Sequence, residues 1–192
     1  MKKILVGTHN KGKFKEISYL LSKEIKKISP KKLKIKSPKE TGKTFSANSI
    51  LKANYFAKFS NLPVISDDSG LCINALGGKP GIYTARWAKK YKGYVGSMNY
   101  ILKKMRKMKN RSAMFICSLS LKIPNGKITT VVGQIKGSIS FKMIGKNGFG
   151  YDPIFIPKST TSTFGQMSKS KKIKIDHRFI AFNKLKKKIK IL

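Results

Sequence analysis

The chain has 192 residues, of which 40% are hydrophobic, enough for one domain with a real core. It has no run of about eighteen apolar residues and too short an apolar stretch after the start for a signal peptide. Two cysteines, Cys72 and Cys117, are too few for a disulfide framework. We therefore expect no membrane span and a cytoplasmic location.

Forty-three Lys and Arg against seven Asp and Glu give a formal net charge of +36. One interpretation is an electrostatic footprint for nucleic acid or another polyanion. The other is compositional drift, because the lysines are spread along the whole chain and only four basic residues are arginine, the residue best suited to phosphate and base contacts. We favour drift and predict no specific nucleic-acid partner, although the charge still attracts any anionic substrate.

The first half of the chain alternates between predicted strands and helices. In chain order these are a buried strand at 2–7, a helix at 14–28, a half-exposed strand at 33–35 and a helix at 44–60. Thr44 is a suitable N-cap for the second helix. Strands at 63–66 and 71–76 follow, separated by the residues around Asp67 and Asp68.

The second half is dominated by a predicted hairpin. Its elements are a helix at 95–108, long strands at 112–123 and 127–140, a short strand at 154–156 and a helix from about 176. The turn at 124–126, Pro-Asn-Gly, is a strong hairpin signal. Together the two halves favour an α/β domain on a mixed sheet over a purely parallel, doubly wound one.

Asp67 and Asp68 are adjacent carboxylates directly after a short apolar run. Their repulsion is costly unless a cation or a metal relieves it. One interpretation is an acidic loop whose oxygens hold Mg²⁺, with Gly70 permitting a tight turn. The other is an Asx turn in which one aspartate caps local N–H groups. Both interpretations place the pair at the end of a strand.

Two further loops contain groups suited to a nucleotide. The loop at 8–13 joins a strand to a helix N-terminus, where free N–H groups attract phosphate, and Lys13 adds a charge. The loop at 147–153 combines two glycines, Phe149, Tyr151 and Asp152, so that rings could sandwich a base and the carboxylate could accept from ring N–H groups. Each also has an ordinary alternative: a plain strand–helix connection, and a rim loop whose aromatics only pack.

A third candidate group lies near the C-terminus. His177 and Arg178 at a helix start offer donors to a carbonyl or a phosphate. A solvated helix face is the alternative.

Six strings in this order resemble the pattern of the inosine triphosphate pyrophosphatase family, which acts on noncanonical purine nucleotides. They lie at residues 8–13, 40–45, 67–71, 75–81, 148–153 and 177–178, and the resemblance spans about residues 3–185. It implies one nucleoside-triphosphate pyrophosphatase domain over residues 1–192, with an elongated mixed sheet flanked by helices, two lobes, a substrate cleft between them, and a homodimer. The implied reaction is Mg²⁺-dependent hydrolysis of ITP, dITP and XTP to the monophosphate and pyrophosphate, which cleanses the nucleotide pool.

By position in that pattern, Asp68 is the general base and a metal ligand. The positions implied to bind substrate are Thr8, His9, Asn10, Lys11, Gly12, Lys13, Ser69, Phe149, Gly150, Tyr151, Asp152, Lys172, His177 and Arg178.

The chain departs from the pattern at three positions. Ala47 and Gln166 stand where the family usually has glutamates, and Asp176 stands where it has a serine. We therefore assign Glu40 as the second acidic ligand. Two other functions stay open: a nucleotide-binding relative with weakened catalysis, suggested by Ala47 and Gln166, and a basic nucleic-acid-binding protein, suggested by the charge.

Overall fold

A computed structural model describes residues 2–158 and 160–189; Met1, Ser159 and residues 190–192 lie outside the described residues. Its strands are β1 (Lys3–Val6), β2 (Lys26–Ile28), β3 (Val64–Ile73), β4 (Ser112–Lys122), β5 (Ile128–Ile139) and β6 (Phe155–Pro157). Its α-helices are α1 (Lys11–Leu20), α2 (Phe45–Ser60), α3 (Thr84–Lys90), α4 (Tyr94–Lys104), α5 (Lys169–Lys172) and α6 (His177–Lys188). Among the described residues, no helix is long and apolar enough to span a bilayer.

The strands form one mixed sheet in the order β2-β1-β3-β4-β5-β6. Strand β1 pairs in parallel with β2 and β3, whereas β5 and β6 are antiparallel. The predicted α/β class with a mixed sheet is confirmed. Four more predictions are confirmed: α2 with its Thr44 cap, α4, α6, and the strands β4 and β5 as neighbours in the sheet.

The chain divides into two compact units. Unit 1 comprises Met1–Asp68, Cys117–Gly133 and His177–Leu192, and unit 2 comprises Ser69–Ile116 and Gln134–Asp176, in both cases within the described residues. Strands β3, β4 and β5 each have residues in both units.

Strand β1 organises the core of unit 1. Ile4 and Val6 belong to one buried cluster with residues of α1 and α6, while Leu5 belongs to another with Phe56 of α2 and with Val64. Because successive side chains of a strand point to opposite faces, helices cover both faces of β1. This explains why its sequence is a continuous apolar run.

The core of unit 2 is built around three aromatic rings, two of which pack edge-to-face or tilted against the third, Phe155. Phe155 has its centroid 4.7 Å from that of Phe115 and 5.4 Å from that of Phe164. Met98 and Ile101 of α4 belong to the same buried cluster. The cluster anchors α4 and leaves its other face toward solvent.

Two predictions in the first half are wrong. The helix predicted at 14–28 ends at Leu20. Ile28 lies instead in the edge strand β2, and its apolar side chain continues the helical spacing only by coincidence. The strand predicted at 33–35 is not formed, because Leu33 ends a 3-10 helix, Pro30–Leu33, and Lys34 follows in a left-handed conformation with a φ of 56°. The Ser29 side chain caps this helix by accepting from the Lys32 N–H. Proline at the first position favours a helical start and cannot donate to a ladder.

The break predicted between two strands at 63–66 and 71–76 is also wrong. Strand β3 runs without interruption from Val64 to Ile73 and includes both Asp67 and Asp68. The tight-turn and Asx-turn interpretations of the pair therefore both fail. Gly70 has a different reason to be small, since a Cβ there would collide with the carbonyl oxygen of Gly81.

Candidate active site

The two aspartates occupy consecutive positions in the middle of β3 and are both buried. Consecutive side chains in a strand point to opposite faces of the sheet. Asp67 therefore lies on the face that carries α1 and α6, and Asp68 lies on the face that carries α2. Each carboxylate has its own partners on its own face, which relieves the repulsion that the sequence implies.

Asp67 is held by two basic side chains. Its Oδ2 lies 3.2 Å from the Lys13 Nζ and accepts a bond of 3.3 Å from the Arg178 Nε. Arg178 also donates through Nη1 to the Glu16 Oε2 at 2.7 Å. Lys13 and Glu16 are three residues apart on α1, so they share one face of that helix. The result is a buried network of two carboxylates and two cations.

Asp68 is held by two residues of α2 that are four positions apart. The Asn48 Nδ2 donates to the Asp68 Oδ2 at 3.0 Å, and the Lys52 Nζ lies 3.9 Å from the Oδ1. The other end of the Asn48 amide accepts from the Gly42 N–H at 2.8 Å. Lys52 also pairs with Glu40, Nζ to Oε1, at 2.6 Å. One ammonium thus lies between two carboxylates.

The electrostatics distinguish the members of this group. Burial raises the pKa of Asp68 above its ordinary value, and the charges of Lys52 and Lys13 offset this only in part. Burial alone would lower the pKa of Lys52, but the charges of Asp67, Asp68 and Glu40 outweigh it and the pKa is raised. Asp68 is thus a carboxylate poised to take up a proton, beside a firmly protonated lysine.

The loop before α1 uses its side chains for local capping. The Asn10 Oδ1 accepts from the Lys13 N–H at 3.0 Å, and the Thr8 Oγ1 accepts from the Asn10 N–H at 3.2 Å. The His9 Nδ1 lies 2.6 Å from the Ser37 Oγ. The Asn10 cap uses the Lys13 N–H and does not use the N–H groups of Lys11 and Gly12 in the first turn of α1. N–H groups at the start of a helix attract anions.

A second cluster of predicted residues lies within unit 2. The Asp152 Oδ2 is 2.6 Å from the Lys172 Nζ and accepts from the Phe149 N–H at 2.8 Å. The Lys172 ammonium also lies over the Phe149 ring, 5.0 Å from its centroid. Gly150 has a φ of 68°, a left-handed conformation that favours glycine.

Tyr151 is a core residue. It is 1% exposed, and its hydroxyl lies 2.7 Å from the Ser97 Oγ. Burial raises its pKa to about 12. Its side chain therefore serves to hold the loop rather than to face solvent. Ser69, which follows Asp68 in β3, and His177, the first residue of α6, are also buried.

No group of three or more His, Cys, Asp or Glu residues able to hold a metal occurs in the part of the chain that the structure describes. Asp68 and Glu40 nevertheless flank one cation already, the Lys52 ammonium. Mg²⁺ is commonly bound by one or two carboxylates together with substrate phosphates. The donor set therefore fits a metal that binds with the substrate and does not fit a metal enclosed by protein alone.

Three residues of the site were not predicted: Glu16, Asn48 and Lys52. Glu16 could have been found, because a carboxylate on a helix is rare in this chain. Of the two departures at 47 and 166, Ala47 bonds only through its backbone, whereas Gln166 bonds through its side chain. The Ala47 N–H donates to the Thr44 Oγ1 at 3.0 Å, and the Gln166 Oε1 accepts from the Thr163 N–H at 2.9 Å.

A sequence model of the Ham1 family matches residues 4–188. The chain belongs to the Ham1 family. It is 40% identical over 186 residues to a dITP/XTP pyrophosphatase of Caulobacter vibrioides, covering 96% of each chain. It is 42% identical over 192 residues to a dITP/XTP pyrophosphatase of Oceanobacillus iheyensis, covering 97% of this chain and 98% of the relative.

Solved structures of Ham1 proteins have the same fold. The Staphylococcus aureus Ham1 protein superposes with a TM-score of 0.87 at 36% identity, over 98% of each chain. A HAM1 protein from Coxiella burnetii superposes with a TM-score of 0.88 at 34% identity, over the full length of both. The family expected from the sequence strings is confirmed for this Ham1 chain, and so is its mixed α/β fold.

Proposed function

We propose that the protein is a nucleoside-triphosphate pyrophosphatase that hydrolyses dITP, ITP and XTP to the monophosphate and pyrophosphate. The observation that carries this proposal is the near-full-length similarity to relatives named dITP/XTP pyrophosphatase, at 40% and 42% identity. Its role is to remove deaminated purine nucleotides from the nucleotide pool. The whole chain acts as one such domain.

Asp68 is the proposed general base. Its pKa is raised by burial, and the Asn48 amide and the Lys52 ammonium fix its orientation. It takes a proton from the water that attacks the α-phosphorus, while the bond from that phosphorus to the bridging oxygen breaks and pyrophosphate leaves. Asp67, neutralised by Lys13 and Arg178, is its structural support.

Mg²⁺ is the proposed cofactor, with Asp68 and Glu40 as its protein ligands. When bound, the ion neutralises phosphate charge and stabilises the charge that develops in the reaction. The Lys52 ammonium lies beside the same two carboxylates and offsets part of their negative charge. In the proposed complex Lys52 adds a further positive charge on the phosphate side of the metal ligands.

The remaining proposed contacts concern the phosphates and the base. The first turn of α1, from Lys11 to Lys13, faces the triphosphate with its N–H groups, and Lys172 adds a charge. The predicted base-side positions are Phe149, Gly150, Tyr151, Asp152, His177 and Arg178. Tyr151 acts there through packing of the loop, since its hydroxyl is engaged by Ser97. The substrate cleft, the homodimer and the cytoplasmic location remain predictions.

Pyrophosphate release from dITP, XTP, dGTP and dATP, with and without Mg²⁺, tests the function. We expect turnover of dITP and XTP only with Mg²⁺, and far less turnover of dGTP or dATP. If ITP binds but no pyrophosphate appears at any Mg²⁺ concentration, the protein is a relative with weakened catalysis. Turnover of all four substrates at equal rates would contradict the proposed selectivity.

A further inference from the structure

An aromatic–lysine surface lies on α3, on the residue that follows α3, and on α4 of unit 2, and has no part in the proposed hydrolysis. It consists of Trp87, Lys90, Tyr91, Tyr100 and Lys104. The rings of Tyr91 and Tyr100 are stacked, with centroids 4.2 Å apart and an interplanar angle of 18°. Trp87 meets both rings edge-on, at 5.9 and 5.5 Å. The three rings form one continuous aromatic block at the surface.

Lysines flank this block on both sides. The Lys90 Nζ lies 5.5 Å from the Tyr91 centroid, and the Lys104 Nζ lies 5.8 Å from the Tyr100 centroid. The pKa of Tyr100 is lowered, first by its hydrogen bond with Tyr91 and then by the charges of Lys104, Lys90 and Lys79, while desolvation acts in the opposite direction. The block therefore lies in a concentrated positive field.

No acidic residue of the surrounding segment balances that field. The sequence has no Asp or Glu between residue 69 and residue 151, which includes all of α3 and α4. Drift toward lysine explains the charge of such a segment. Trp87 packs against the core of unit 2, whereas Tyr91 and Tyr100 stack on each other among the lysines. Drift toward lysine does not explain this stack, and stacked rings beside lysines suit a ligand that is both anionic and planar.

We propose that the aromatic–lysine surface binds single-stranded nucleic acid without sequence preference. The three rings are half-buried, and Lys90 and Lys104 lie over the tyrosine rings. These flexible lysines move to the phosphates, and bases stack on the ring faces that they uncover. Stacking platforms beside basic side chains are the usual means of binding single strands, because every base has an aromatic face. Such binding is separate from the hydrolysis of nucleotides and does not depend on it.

Trp87 allows the surface to be observed directly, because it is the only tryptophan in the chain. The probe is a twelve-residue oligo(dT), and its matched control is a twelve-residue abasic strand with the same phosphates. We expect saturable quenching of tryptophan fluorescence by oligo(dT), and weaker binding without quenching by the abasic strand. Equal affinity for the two strands would overturn the proposal, since it would show attraction to charge alone.

Substitutions then locate the site. Tyr91→Ala with Tyr100→Ala should weaken oligo(dT) binding about tenfold or more. Tyr91→Phe with Tyr100→Phe keeps the rings and should retain affinity. The matched control removes two exposed aromatics of unit 1, Tyr19 and Phe59, which are 57% and 58% exposed. An equal loss of affinity in that control would overturn the assignment.

The lysines are tested by salt. Replacing Lys90 and Lys104 by glutamine should flatten the dependence of log affinity on log salt concentration by about one unit or more. The same change at Lys187 and Lys188, exposed lysines at the end of α6, should leave it nearly unchanged. If the alanine variant of the tyrosines changes the oligomeric mass but not oligo(dT) affinity, the surface is an interface between copies and the proposal fails.

Discussion

Asp67 and Asp68 are neighbours in sequence with opposite energetic roles. Asp67 is neutralised by Lys13 and Arg178, so its charge is part of the fold's own ion-pair network. Asp68 has a raised pKa, which means that its charged form is disfavoured by burial. A residue of the first kind stabilises the fold, and one of the second kind is held ready for proton transfer.

Removing each charge should therefore give different defects. Asp68→Asn should lower kcat for dITP by about 10²–10⁴-fold, the usual contribution of a general base, with little loss of stability. Asp67→Asn should lower the free energy of unfolding by about 3–5 kcal/mol, because it leaves two cations beside an uncharged partner. Pyrophosphate release and urea unfolding of both variants check this. Equal stability losses would contradict the division of roles.

Lys52 gives a prediction with a definite pH dependence. Its pKa is raised above the ordinary value of 10.5, so its contribution to stability is complete below that value and is lost as pH rises through the folded-state pKa. Lys52→Met should lower the free energy of unfolding by about 3 kcal/mol at pH 7. The difference from the parent protein should shrink above pH 10.5.

The control for this prediction is Lys58→Met, at an exposed position of the same helix. Its effect should stay within about 0.5 kcal/mol at every pH. Urea unfolding of the three proteins between pH 7 and pH 11 makes the comparison. A difference for Lys52→Met that is as large at pH 11 as at pH 7 would show that packing, and not charge, is what the substitution removes.

The limits of prediction at this scale follow from composition. A carboxylate is rare here, so Asp67, Asp68 and Asp152 were conspicuous and proved to be buried and ion-paired. A lysine is common, so nothing in the sequence distinguishes Lys52 from its many exposed counterparts. Only the packing of α2 on β3 identifies it.

At the scale of elements, the site depends on how one loop is attached to α2. The loop that carries Glu40 is held through the Gly42 N–H, which donates to the Asn48 Oδ1, and through the pair between Glu40 and Lys52. A Cβ at Gly42 would lie 2.6 Å from that oxygen and 2.8 Å from the Ala47 Cβ. The loop and the helix must therefore be this close for both bonds to form.

Gly42→Ala should displace the loop and move Glu40 away from Asp68. We expect the Mg²⁺ concentration for half-maximal dITP hydrolysis to rise several-fold, and stability to fall by about 1–3 kcal/mol. Gly126→Ala, in the turn between β4 and β5 where the nearest contact would be 3.3 Å, is the control and should leave the Mg²⁺ dependence unchanged. An unchanged dependence in Gly42→Ala would argue against Glu40 as a ligand.

Element boundaries were less predictable than element types. The apolar spacing identified α1 but extended the predicted helix to Ile28. This buried residue of the edge strand β2 continued the same spacing by coincidence. The residues 67–70 between the two predicted strands suggested a break, yet β3 passes through them because partners on both faces compensate the burial of the two aspartates. Such compensation comes from residues distant in sequence, so local patterns cannot reveal it.

At the scale of the whole molecule, the net charge of +36 acts on every anion that approaches. Five of the seven carboxylates, Glu16, Glu40, Asp67, Asp68 and Asp152, are engaged in ion pairs, so they contribute little to balancing the exposed lysines. A triphosphate is therefore attracted at long range, whether or not the lysines arose by drift.

Because of this attraction, salt should strongly lower the rate at which the protein captures substrate and hardly change the rate of the hydrolysis step. Raising KCl from 0.1 M to 1 M shortens the Debye length from about 10 Å to about 3 Å, which screens the exposed lysines but hardly affects the buried pairs around Asp68. We expect kcat/KM for dITP to fall roughly tenfold or more, with kcat nearly constant. Steady-state kinetics at a fixed excess of Mg²⁺ measure both. A constant kcat/KM would show that the surface charge has no part in capturing substrate, and a parallel fall in kcat would show that salt reaches the buried ion pairs themselves.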